Sequence, residues 1–204
     1  MKKVFGHFFS ILFVPLLLPL YGTIFILYFN PFNFPDKAEN TLTLIRVGIL
    51  TFFLPSVTIL LLVGLKFIKS LNIYDRQERA IPYIAAMFFY IWAFYVFYKE
   101  NFNPQITFIL LGAAISVFLD FIINLLVIKI SMHTTGAGGL VAMVMLLSPF
   151  TYYNPLYIFM VVIVIAGCIG AARLALKAHS EQEVYFGYIS GFLSFMIANI
   201  FFTF

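Results

Sequence analysis

Charge and sulfur are scarce in this sequence. Only 10% of its 204 residues are Asp, Glu, Lys or Arg, and there is one cysteine. A lone cysteine, Cys168, excludes a disulfide framework within the chain and reads as a small buried thiol. The net charge of +4 is diffuse. No basic run is interleaved with aromatics, so nucleic acid is not expected as a partner. So few charges could not solvate the large outer shell that a soluble fold of this size exposes. No internal repeat and no soluble domain are apparent. Met1–Phe9 leads into an apolar run too long for a cleavable leader, and Pro15, Pro19 and Tyr21 do not form a small-residue cleavage pattern. A retained first helix is expected.

What the chain has is apolar length. It is 63% hydrophobic, with 27 Phe and 12 Tyr. Asp, Glu, Lys and Arg are missing from Val4–Asn33, Val47–Leu65, Ala80–Tyr98, Asn101–Leu119, Ile130–Ala172 and Val184–Phe204. A membrane crossing takes about 20 apolar residues, and Ser148–Pro155 divides Ile130–Ala172 into two. The expected fold is an all-α polytopic bundle of seven spanning helices, a single transmembrane domain over residues 1–204. Backbone amides in lipid must be satisfied within each segment, which requires helices here. Helices are expected over about Val4–Phe29 (kinked at Pro15 and Pro19), Leu42–Ile68, Pro82–Lys99, Pro104–Ile128, His133–Ser148, Pro155–Arg173 and from Glu183 onward. The fifth is short, so six spans with a short inserted segment is the fallback. Asn30–Asn40 and Ser70–Arg79 read as loops. Tyr90, Trp92, Tyr95, Tyr152, Tyr153 and Tyr157 sit where an interfacial aromatic belt would lie.

Following the chain back and forth puts three polar clusters on one rim: Lys69–Arg79, Lys129–His133 and Arg173–Glu183. Ionisable groups at a membrane mark sites. If 179–183 is helical, His179 and Glu183 share a face, and the carboxylate holds one imidazole nitrogen. The other nitrogen is then left to attack an electrophile. Arg173 offers a planar fork of donors suited to phosphate oxygens. His133 supplies a second imidazole for proton transfer, and Ser131 a hydroxyl. Lys69, Arg76 and Arg79 add positive charge. Lys129 and Lys177 read as interfacial anchors, as does His7 near Lys2 and Lys3. Gly136, Gly138 and Gly139 serve either close helix packing or anion binding at a helix start. Ser116, Asp120 and Asn124 form an i, i+4 stripe. It reads first as an interhelical hydrogen-bond network and second as a transport relay.

These residues resemble the type 2 phosphatidic acid phosphatase superfamily of integral-membrane lipid phosphate phosphatases. Its third motif is Ser-Arg, five residues, His, three residues, Asp. Arg173, His179 and Glu183 fall at that spacing, with Ala172 for Ser and Glu for Asp. The second, Pro-Ser-Gly-His, is echoed by Ile130-Ser131-Met132-His133. The first, Lys, six residues, Arg-Pro, is matched by Lys69 and Arg76, with Gln77 where Pro belongs, or alternatively by Arg79 with Pro82. The resemblance covers about 69–191 with the motif order kept.

The resemblance implies a phosphate monoesterase or diphosphatase acting on a membrane lipid without metal or other cofactor. His179 would be the nucleophile that becomes a phosphohistidine, with Glu183 orienting it and His133 the general acid. Arg173, Ser131, Arg76 or Arg79, and Lys69 would hold the phosphoryl oxygens. The departures at Gln77, Met132, Ala172 and Glu183 suit a second expectation, a silent membrane protein that binds a lipid phosphate or a partner. A transporter using Asp120 ranks third, because no inverted repeat or paired broken helix is evident. The expected partners are a lipid phosphate and the bilayer, and the expected location is a bacterial plasma membrane, multi-pass. Counting Lys and Arg on the two sides turns the motif rim toward the cytoplasm.

Overall fold

Two Asn-Pro pairs show how this sequence starts helices. In both, the Asn side chain accepts from the first free amides, and Pro takes the position whose N–H has no partner anyway. Asn103 Oδ1 accepts from Gln105 N at 2.9 Å, and Asn154 Oδ1 from Leu156 N at 2.9 Å. Three helix ends share a second device. At Lys66, Asn101 and Lys177 the backbone turns left-handed, with φ of 63°, 49° and 52°. At each, the next amides close onto the last helical turn, as in Lys177 N to Leu174 O and Ala178 N to Arg173 O. This is the Schellman ending, usually given to glycine.

A computed structural model describes residues 2–30, 37–69, 76–151 and 154–202. Its helices are α1 (Lys2–Leu12), α2 (Leu18–Phe29), α3 (Lys37–Gly48), α4 (Leu54–Gly64), α5 (Ala80–Lys99), α6 (Pro104–Leu126), α7 (Met132–Leu147), α8 (Pro155–Ala175) and α9 (Glu181–Asn199), and no strand occurs among the described residues. The first expected helix is broken rather than kinked: a 3₁₀ turn at Pro15–Leu17 separates α1 from α2. A π-helical stretch, Ile49–Phe53, joins α3 to α4 just before Pro55. Pro55 cannot donate and its ring would strike the carbonyl of Thr51, and the wider turn absorbs that conflict. Much of the two expected loops, at 31–36 and 70–75, lies outside the described residues, as do Tyr152 and Tyr153 of the belt.

Among the described residues, six helices are long and apolar enough to cross a membrane, so the chain is an all-α polytopic membrane bundle. They are Lys3–Phe29, Lys37–Gly64, Ala80–Lys99, Pro104–Leu126, Met132–Phe150 and Pro155–Ala175. This corrects the expected seven to six. The seventh candidate, α9, opens with Glu181-Gln182-Glu183 and buries Ser190 and Ser194, and these polar residues dilute its apolar length. It packs chiefly against α7 and α6 at the centre. The Trp92, Tyr95 and Tyr157 side chains are exposed, but Tyr90 is 4% exposed and belongs to the core rather than a belt.

Glycine decides how α7 and α9 meet. A Cβ at Gly138 would run into the carbonyl oxygen of Tyr188, and one at Gly191 into that of Thr135. At Gly187 it would strike the Thr134 hydroxyl and the Ser131 carbonyl. Of the two roles open to the Gly136–Gly139 run, close packing is therefore the one observed. It brings the start of α9 against the start of α7, where the histidine clusters lie.

Candidate functional site

His179 lies in the loop before α9, not on it, which corrects the expected shared helix face. The left-handed turn at Lys177 ends α8 and turns the chain back, and Ser180 caps α9 by accepting from Glu183 N at 3.3 Å. Ser180 and Glu183 have the spacing of a capping box. The Glu183 carboxylate, however, is directed to His179: Nδ1 to Oε2 is 2.6 Å, and the imidazole is 4% exposed. Burial, then the charges of Arg173, Arg79 and Lys129, push the His179 pKa down to about 2. The ring is thus neutral. With a carboxylate as acceptor its proton sits on Nδ1, and Nε2 carries the lone pair.

Three cations surround this imidazole. Arg79 ends the 3₁₀ turn Gln77–Arg79 and donates from Nη1 to the Ile130 carbonyl at 3.0 Å, beside Ser131. Lys129 donates from Nζ to the Ala178 carbonyl at 3.4 Å, one residue from His179. Burial and the neighbouring Arg79 lower the Lys129 pKa, while Glu183 acts the other way. Arg173, in the last turn of α8, donates from Nη1 to Ser10 Oγ at 2.9 Å. Its Nε–H is buried without a hydrogen-bond partner.

Ser131 caps α7. Its carbonyl accepts from Thr134 N and Thr135 N at 3.0 Å each, and its own N–H donates to the Glu183 carbonyl at 3.3 Å. Its hydroxyl is fully buried and unpartnered. An unsatisfied buried polar atom costs about 1–3 kcal/mol. The site thus holds two such donors, Ser131 Oγ and Arg173 Nε, among three cations.

His133 opens α7 and is held by its Nε2 at 3.1 Å from the Ser10 carbonyl. It lies within electrostatic reach of Arg173, Arg79 and His179. Ser10 thus ties His133 and Arg173 to α1, a helix the sequence reading did not connect with the site.

The structure gathers Arg79, Ser131, His133, Arg173, His179 and Glu183, and separates Lys69 and Arg76 from them. Lys69 pairs with Glu78 at 2.8 Å, and its side chain is 84% exposed. Arg76 donates from Nε to the Asn124 carbonyl and from Nη1 to that of Val127 at 3.3 Å, while Asn124 Nδ2 donates back to the Arg76 carbonyl. It satisfies the open C-terminus of α6, as a basic residue there should. Lys129, read as an anchor, belongs to the site instead. The signal was its place immediately before the Ile130–His133 cluster.

Of the stripe on α6, only Asp120 bonds to another helix in the way expected: Ser190 Oγ of α9 donates to Asp120 Oδ1 at 2.8 Å, with Thr135 of α7 near the same carboxylate. Ser116 instead gives its hydroxyl to the Gly112 carbonyl of its own helix, and Asn124 bonds Arg76. Among the described residues, no three His, Cys, Asp or Glu side chains gather as a metal site would. The chain matches no protein-family model, no curated protein and no solved structure.

Proposed function

We propose that this membrane protein is a lipid phosphate phosphatase that works through a phosphohistidine. The observation that carries the reading is a buried, neutral His179, fixed through Nδ1 by Glu183 and ringed by Arg79, Lys129 and Arg173. A neutral imidazole is a nucleophile. A carboxylate on Nδ1 raises its nucleophilicity and stabilises the imidazolium that forms on attack. Cations around it suit a phosphoryl group, whose charge spreads over its oxygens in the transition state.

In the first step Nε2 attacks phosphorus and the bond to the lipid oxygen breaks. The negative charge of the entering phosphate favours the imidazolium form of His133, which takes up a proton. It gives its Nε2 proton to that oxygen once substrate displaces it from the Ser10 carbonyl, and is left as neutral imidazole. In the second step water, deprotonated by His133, attacks phosphorus and releases inorganic phosphate and His179. Arg79, Lys129 and Arg173 hold the phosphoryl oxygens, joined by the Ser131 hydroxyl. Lys69 and Arg76 take no part. Where the resembled motif has Ser, Ala172 brings no hydroxyl, and Arg173 meets the hydroxyl of Ser10 instead.

We place the protein in a bacterial plasma membrane with this rim toward the cytoplasm. After the three site cations are set aside, Lys2, Lys3, Lys66, Lys69, Arg76 and Lys177 still face only Lys37, Arg46 and Lys99 on the other side.

The test is phosphate release by the purified protein from phosphatidic acid, phosphatidylglycerol phosphate and a polyprenyl diphosphate, in chelator and with vanadate as inhibitor. Turnover that vanadate blocks and His179→Ala abolishes is expected. Turnover unchanged in His179→Ala would remove the nucleophile. A second reading is favoured by the hold of Ser10 on both His133 and Arg173: a silent protein that binds lipid phosphates. It predicts binding without release across the panel, both before and after His179→Ala.

A further inference from the structure

Hydroxyls inside the helices of this protein tend to fold back on their own backbone. Thr23, Thr51, Thr58, Ser116 and Ser194 each donate to the carbonyl four residues earlier, the local bond open to short polar side chains. Ser10, on α1, reaches another helix instead. Its Oγ lies 2.9 Å from Arg173 Nη1 on α8, and it is the acceptor, because a guanidinium only donates. Two small residues let the helices come that close. Gly6 sits one turn before Ser10 on the same face of α1. A Cβ there would stand 2.6 Å from Leu176 Cγ and 3.3 Å from the Ala172 carbonyl oxygen. Ala172, beside Arg173, is itself 1% exposed.

Which nitrogen Ser10 takes decides what is left for a ligand. Nη1 lies on the Cδ side of the guanidinium. Holding it leaves the outer edge, where Nε–H and Nη2–H run parallel and match two oxygens of one phosphoryl group. Nε–H is the buried donor without a partner. Among the described residues, the bond to Ser10 is the hydrogen bond that fixes this side chain. Without it, an arginine with about 2 kcal/mol of rotamer freedom would turn away from Arg79, which lies close enough to repel it.

We propose that Ser10 is a positioning residue: its hydroxyl anchors Arg173 through Nη1 so that the Nε–Nη2 edge meets the phosphate at His179. The proposal rests on the phosphatase reading for the ligand, and on the contact between α1 and α8 for the role. It makes α1 a working part of the site rather than an anchor alone.

The experiment titrates the full-length protein in phosphatidylcholine nanodiscs with inorganic phosphate, and measures phosphate release from phosphatidic acid on the same preparations. Ser10→Ala keeps the carbonyl that holds His133 and removes only the bond to Arg173. It should weaken phosphate binding and raise KM about tenfold, the lower end for one hydrogen bond to a charged group, with kcat changed less. Ser10→Thr returns the hydroxyl and should return both values. Arg173→Lys has no fork to aim, so adding Ser10→Ala to it should change neither further. Ser10→Cys, nearest in shape and a weak acceptor, stands in if the alanine variant does not fold. Wild-type affinity and KM in Ser10→Ala would overturn the proposal and leave the phosphatase standing. So would a loss that persists in full on the Arg173→Lys background, which marks a structural role only. A tenfold loss of phosphate binding with no release by any of the proteins would uphold Ser10 and sink the phosphatase. Neither binding nor release by the wild type would remove both.

Discussion

The neutral state of His179 has a thermodynamic signature that needs no substrate. Its ordinary pKa of 6.5 holds in the unfolded chain, whereas the folded site lowers it to about 2. Between those values the unfolded chain carries a proton on this imidazole and the folded one does not. Stability therefore rises with pH across the window and is lost as pH falls below 6.5. At about 1.36 kcal/mol per unit, acidification from pH 7 to pH 5 should cost about 2 kcal/mol. The Glu183 carboxylate favours the imidazolium and opposes the effect, so this figure is an upper bound. The perturbation is His179→Gln, which keeps a donor for Glu183 and removes the titration. Unfolding free energies of the two proteins in mixed micelles, measured at both pH values, give the difference of differences, in which every other titrating group cancels. The wild type should lose about 1–2 kcal/mol more than the variant. Equal losses would mean that His179 titrates normally, and that neither burial nor the three cations govern it.

Three more outcomes follow from the fold. Gly191→Val should separate α7 from α9 and cost at least 1–3 kcal/mol by overpacking, read as a lowered thermal midpoint with loss of phosphate binding. Lys177→Gly should raise stability by about 1 kcal/mol, because the left-handed turn no longer strains a Cβ; thermal unfolding checks it. Arg76→Ala should destabilise by about 1–2 kcal/mol through the uncapped end of α6 while leaving affinity for inorganic phosphate unchanged, and Arg79→Ala should weaken that affinity at least tenfold in a titration.

Residues that act locally were legible before any coordinates. Asn103-Pro104 and Asn154-Pro155 start α6 and α8 as their side chains dictate, and charge-free runs place the spans. Contacts between distant residues were not. Sequence spacing could suggest that His133 and His179 share a rim, but nothing in Phe8-Phe9-Ser10-Ile11 announces a partner for both His133 and Arg173. Lys129 looks like any interfacial lysine until the turn after α8 brings Ala178 to it. A break between Arg173 and Glu183 was legible, but its left-handed turn at Lys177 was not, because that backbone is normally betrayed by glycine. The polar face of α9 was visible in Ser190 and Ser194, yet its meaning depended on Asp120, seventy residues earlier.

Ser10 also sets a timetable. Its bonds to His133 and Arg173 span 123 and 163 residues, so α1 leaves the ribosome before both partners and must wait for α7 and α8. Closing loops of such length is entropically slow and precedes the reward of contact. The cluster around Ser10 is therefore completed only when α8 follows, and a chain that stops before α8 holds His133 at Ser10 but lacks Arg173.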